Sequence, residues 1–170
     1  PTTVLRLCLI AFASALLFAC GSGEDAPPKT YEYYALGQPD ASVRVALPTE
    51  PSSVAMGGGP DVDEAFRWMI SRAGIRPGTG GRFVVIRASG TDAYNPYLYY
   101  SDENSGTSST ISPEWIGGAA LGLSSVETLV IPDRESANDA FVNAIVARAN
   151  AVFIAGGDQS DYIRFWKNTA

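Results

Sequence analysis

The chain has 170 residues, with 18 Asp and Glu against 12 Lys and Arg, a formal charge of −6, 46% hydrophobic residues and no histidine. An acidic balance without a basic run excludes a nucleic-acid reader, which needs clustered Lys and Arg to meet phosphates. The lack of histidine means that a Ser-His or Cys-His catalytic device cannot be complete within these residues.

Residues 7–18 form an apolar run behind Arg6. It is shorter than the ~20 residues of a membrane-crossing helix and suits the core of a signal peptide, so residues 1–20 are predicted to be a leader. The run ends in Leu17-Phe18-Ala19-Cys20-Gly21, which resembles the bacterial lipobox. That resemblance implies lipidation at Cys20, a membrane partner through that anchor, and an exported place in the bacterial cell envelope. A plain secretory leader cut near Ala19 and a buried N-terminal helix are the alternatives. Once Cys8 leaves with the leader, Cys20 is the only thiol, so an intramolecular disulfide is not possible.

Residues 21–42 open on Gly, Pro and charge, which bury too little apolar area to offset their ordering entropy, and are predicted to be a flexible tether. Tyr31, Tyr33 and Tyr34 interrupt it and are expected to pin it to the domain. The domain itself is assigned to residues 43–170.

In that domain short strands are predicted at residues 43–47 and 53–56, the second ending in Gly57-Gly58-Gly59. Pro60 opens a helix whose first turn is crowded with Asp61, Asp63 and Glu64, where the helix dipole favours anions. Helix-start electrostatics explains these acids without a metal, and no cofactor is expected. Val62, Phe66, Met69, Ile70 and Ala73 recur at helical spacing, and Gly74 ends the helix. Residues 82–88 read as a strand covered on both faces. It opens into Ser89-Gly90-Thr91-Asp92-Ala93-Tyr94-Asn95-Pro96-Tyr97, either a ligand crevice or a turn in which Asp92 and Asn95 bond local backbone. A strand at residues 126–131 leads to Ser136 and Asp139, which have capping-box spacing before an apolar helix.

Residues 151–155 form a last strand that breaks at Gly156-Gly157 and restarts as a helix with Asp158-Gln159. Such turns present free backbone N–H groups at the strand ends where ligands bind in open α/β sheets. Alternating strands and helices imply an α/β fold, a three-layer α/β/α sandwich with a mostly parallel sheet and right-handed crossovers. The chain opens on Pro1 and stops thirteen residues after Gly157 without a capping glycine. It is read as the N-terminal part of a longer domain, truncated at its C-terminal side.

Five segments in one order, Met56-Gly57-Gly58-Gly59, residues 61–68, residues 88–97, residues 125–129 and Ile154-Ala155-Gly156-Gly157-Asp158-Gln159, resemble the cyanophycinase-like serine peptidases of the class I glutamine amidotransferase-like superfamily. The resemblance covers most of residues 31–170 and implies a flavodoxin-like sheet and acyl-enzyme cleavage of a peptide or isopeptide substrate. It also implies a nucleophilic serine in a Gly-Thr-Ser-Ala-Gly turn, with histidine and glutamate further along. Gly106-Thr107-Ser108-Ser109-Thr110 lacks the closing glycine of that turn, so the nucleophile is expected beyond Ala170. By the same resemblance Gly157 donates a backbone N–H to the oxyanion hole, and Asp158 and Gln159 bind substrate. Capping of the helix is the plainer role for Asp158. A noncatalytic envelope lipoprotein that binds a peptide or glycan near Tyr94 and Tyr97 is the competing expectation.

Overall fold

The computed structural model describes residues 29–46, 50–57, 59–101 and 115–170. The expected leader, Cys20 and Ser108 lie outside them.

The fold is α/β. Four strands, β1 (Glu32–Gly37), β2 (Gly81–Arg87), β3 (Leu123–Val130) and β4 (Ala151–Ile154), form one sheet in the order β1-β3-β2-β4. β2 pairs in parallel with both β3 and β4, and β1 runs antiparallel to β3. The helices are α1 (Asp63–Arg72), α2 (Tyr94–Tyr99), α3 (Gly118–Leu121), α4 (Arg134–Ala137), α5 (Ala140–Ala147) and α6 (Gln159–Trp166).

Alternation along β2 divides the core. Phe83 and Val85 point to one face, where α1 supplies Phe66 and Ile70 and α2 supplies Leu98. Val84 points to the other, with Leu129 of β3 and with Val142 and Ile145 of α5. Phe66 is fully buried and meets Phe153 at 4.9 Å and Tyr97 at 5.7 Å, both edge to face. α2 is fixed to the sheet by a buried polar bond in which the Thr128 hydroxyl donates to Asn95 Oδ1 at 2.6 Å. Asn95 N–H also bonds the Asp92 carbonyl at 2.8 Å, so the turn is closed by main chain, while the Asn95 side chain, expected to bond local backbone, reaches the sheet instead.

Residues 32–37 are not tether but the antiparallel edge strand β1. Its alternation puts the Tyr33 hydroxyl within 2.7 Å of Glu127 Oε2, and Tyr31 and Tyr33 pack on Phe141 of α5. The aromatic surface supplies the apolar burial that the preceding Gly-Pro stretch lacks. Glu127 is wholly buried on β3. It receives Tyr33, the Ser125 hydroxyl at 2.9 Å and Arg148 Nη2 at 2.6 Å, so its charge is paired and hydrogen-bonded.

Two other predicted elements differ. Residues 43–46 and 53–56 belong to no strand among the described residues. The first helix starts at Asp63 rather than Pro60, and Gly74, at φ +79°, takes the chain out of it as expected. The cap pattern before α5 is divided between two helices. Asp133 caps α4 by accepting from Ser136 N–H, and Asp139 caps α5 by accepting from Phe141 N–H at 2.8 Å.

Candidate functional site

The sheet order places the site. From β2 the chain moves through α2 and α3 to β3 on one side. It then returns through α4 and α5 to β4 on the other side of β2. The segments that follow β2 and β4 pack on different faces: α2 on the Phe83 face, and Trp166 of α6 on the Val84 face. The strand order thus reverses at β2, a topological switch point of the kind at which open α/β sheets leave a crevice beyond the strand ends.

Two turns line that crevice. After β2, the Arg87 guanidinium turns back to hold the loop, donating to the carbonyls of Ser89 and Thr91. Gly90, at φ +106°, lies directly against that guanidinium, where a Cβ would overlap it. After β4, Ala155 N–H still bonds the Ile86 carbonyl at 3.0 Å, and the chain then turns through Gly156 and Gly157 into α6.

Tyr162 at the start of α6 donates to the Ala155 carbonyl at 2.7 Å, and Trp166 at its end donates to the carbonyl of Ile131, just past β3, at 3.0 Å. These two bonds, four residues apart, tie α6 both to the end of β4 and to the segment just past β3. Arg134 secures its far end by donating to the carbonyls of Arg164, Lys167 and Asn168.

The expected site residues separate here. Gly156 is open, with nothing near the place of a Cβ, whereas a Cβ on Gly157 would lie 2.5 Å from the Tyr162 hydroxyl. Asp158 is the N-cap of α6, accepting from Ser160 N–H at 2.8 Å. Ser160, through its hydroxyl and its amide, holds the Asp158 carboxyl below the usual range. Gln159 begins α6 and lines a groove beside β4. The chain matches no protein-family model, no curated protein and no solved structure.

That groove has a volume of about 860 Å³. Its walls are residues 150–156, including all of β4, the segment 50–57, and Trp68, Met69 and Arg72 of α1. At the strand-end side it reaches Asp61, Tyr94, Gln159 and Tyr162. Sequence reasoning did not name the contribution of α1, because Trp68 sits among core-facing residues and only its 43% exposure distinguishes it.

The acids at the start of α1 are engaged by phenols. Tyr94 donates to Asp61 and Tyr97 to Asp63, while Glu64 pairs with Arg67 at 2.7 Å. Burial, and then the bond to Asp61, pushes the Tyr94 phenol up to about 12. The same causes, with Asp63 as acceptor, raise Tyr97 further. Both O–H groups are thus spent on carboxylates, and Tyr94, which lines the groove, offers it an aromatic face.

Proposed function

We propose that this chain is the N-terminal part of an exported, lipid-anchored serine hydrolase of the cyanophycinase-like type, cleaving peptide or isopeptide bonds through an acyl-enzyme. In this reading the mixed sheet is one side of a three-layer, flavodoxin-like domain of the class I glutamine amidotransferase-like kind. Cys20 carries the anchor. The nucleophilic serine, its histidine and its glutamate come from residues following Ala170.

The observation that carries the reading is the Gly156-Gly157 turn, which leaves β4 at the switch point between β2 and β4. There backbone N–H groups of the turn can meet the negative oxygen of a tetrahedral intermediate, and one such donor is worth about 3 kcal/mol of transition-state stabilisation. Gly157 is assigned as that donor, and the crowding of its Cα by Tyr162 gives glycine a separate structural reason to stand there. Gln159, at the groove wall, is assigned to the substrate backbone. Asp158 contributes indirectly, by starting the helix that carries Gln159.

A fluorophosphonate probe tests the reading on the protein that includes the residues after Ala170. Stoichiometric labelling of one serine outside residues 1–170 is expected, with residues 1–170 alone unlabelled. Labelling at Ser108, or none in the longer protein, would overturn it. The second outcome would favour a noncatalytic envelope lipoprotein that uses the aromatic groove, with Trp68 and Tyr94 on its walls, to bind a peptide or glycan.

A further inference from the structure

We infer that the strand-end crevice is held toward the lipid bilayer, so that its substrate is a peptide presented at the membrane surface. This rests on the anchored-hydrolase reading above and adds to it where the substrate lies.

The predicted tether, residues 21–42, is twenty-two residues long, but the fold fastens the chain near the middle of it. Lys29 Nζ lies over the rings of Tyr31 and Phe141, at 5.3 and 5.4 Å from their centroids. The Thr30 hydroxyl meets that of Ser136, and β1 begins at Glu32. Only eight residues remain between Cys20 and Lys29. At 3.3–3.6 Å per residue that link reaches about 30 Å when fully extended.

Register puts the point of attachment at the crevice end of the sheet. Glu32 pairs with Val130, and Val130 with Arg87, so β1 starts in the row where β3 and β2 finish. Ile154, the last residue of β4, pairs with Ile86 beside that row. With strands about 4.8 Å apart in the order β1-β3-β2-β4, the chain enters the domain roughly 10–15 Å to the side of the crevice. Gly37, Ser125 and Arg82 form the row at the opposite end, about 17 Å down the strands.

Size then decides the orientation. A domain of about 140 residues has a radius of gyration near 14 Å, which corresponds to a diameter of roughly 37 Å. Turning the far end toward the bilayer would require the leash to run the length of that body, and about 30 Å is too short. The end that carries Glu32 and the crevice therefore stays nearer the lipid. Residues following Ala170 enlarge the body and tighten the constraint. A leash of twenty-two residues would reach about 75 Å and impose no such order. A crevice so placed meets polypeptides attached to or emerging from the membrane ahead of peptides diffusing through the envelope.

The test uses the protein that includes the residues after Ala170, lipidated at Cys20 and reconstituted in phosphatidylethanolamine–phosphatidylglycerol vesicles with an acceptor dye on the headgroup. A donor dye is attached at Thr91→Cys, in the exposed loop held by Arg87, or at Gln38→Cys, exposed at the opposite end. Energy transfer is expected to be greater from position 91, by the margin of about 17 Å in height. The difference should vanish when twenty Gly-Ser residues are inserted after Pro28. Equal transfer from the two positions, or more from position 38, would overturn the proposal, as would a Cys20 that carries no lipid. A fluorophosphonate borne on a lipid headgroup reads the substrate claim. It should label the native leash about fivefold faster than the extended one, because effective concentration falls with linker length, while a soluble fluorophosphonate labels both alike. Equal rates with the lipid-borne probe would overturn the claim. Ordered energy transfer without serine labelling would reject the hydrolase and its substrate while keeping the orientation. Serine labelling with unordered transfer would keep the hydrolase and reject the orientation.

Discussion

Gly157 and Tyr162 form a pair that one substitution each can separate. A methyl group on Gly157 would sit 2.5 Å from the Tyr162 hydroxyl, which must then move and release its bond to the Ala155 carbonyl. Gly157→Ala is expected to cost about 1–2 kcal/mol in urea unfolding, and much less in a Tyr162→Phe background where the crowding oxygen is gone. Additive effects in that double-mutant cycle would contradict the contact. The buried carboxylate of Glu127 makes a second residue-scale test. Arg148→Ala leaves it without its cation and is expected to destabilise by about 3 kcal/mol or more, whereas Tyr33→Phe removes one donor and costs about 1–2 kcal/mol. Tyrosine ionisation gives the third. A phenol raised on folding binds its proton more tightly in the native state, so the stability it adds is complete below the unfolded value near 10 and is lost as pH rises. For Tyr94 the loss runs from about 10 to about 12. Phenolate absorbance should therefore show Tyr94 and Tyr97 titrating late in the native protein, and Asp61→Asn should bring Tyr94 forward.

At the scale of elements, legibility followed burial. β2 and β3 and helices α1 and α5 could be read because their apolar spacing matches a sheet covered on both faces or a helix with one buried stripe, and β4 from its apolar run, although Val152 and Ile154 are exposed. β1 could not, since Glu32 to Gly37 follows a Gly-Pro stretch and its burial depends on Phe141, more than a hundred residues away. Residues 53–56 misled in the other direction: Ser-Val-Ala-Met has strand character, yet β4 already lies beside β2 and the segment lines the groove instead. Of the site, the glycine turn and the Asp158 cap were readable from local chemistry. The bridging path of α6 was not, because it is fixed by Trp166 and Arg134 meeting carbonyls distant in sequence. Cap removal tests one local element directly. Asp139→Ala strips the acceptor from Phe141 N–H and is expected to cost about 1 kcal/mol, measured by thermal unfolding.

For the whole molecule, the order β1-β3-β2-β4 concentrates two consequences at one end of the sheet. The reversal of strand order at β2 opens a crevice at the ends of β2 and β4, and among the described residues β4 lies outermost, beside a groove that leads into that crevice. The site proposed at the Gly156-Gly157 turn thus rests on topology as much as on the glycines. The measurement that tests this most directly is an amide NMR titration of the protein that includes the residues after Ala170, using an arylboronate that mimics the tetrahedral intermediate. The account predicts that the Gly157 N–H resonance moves most, with Gly156 and Gln159 following. Shifts confined to other residues, with the turn unmoved at saturation, would contradict it.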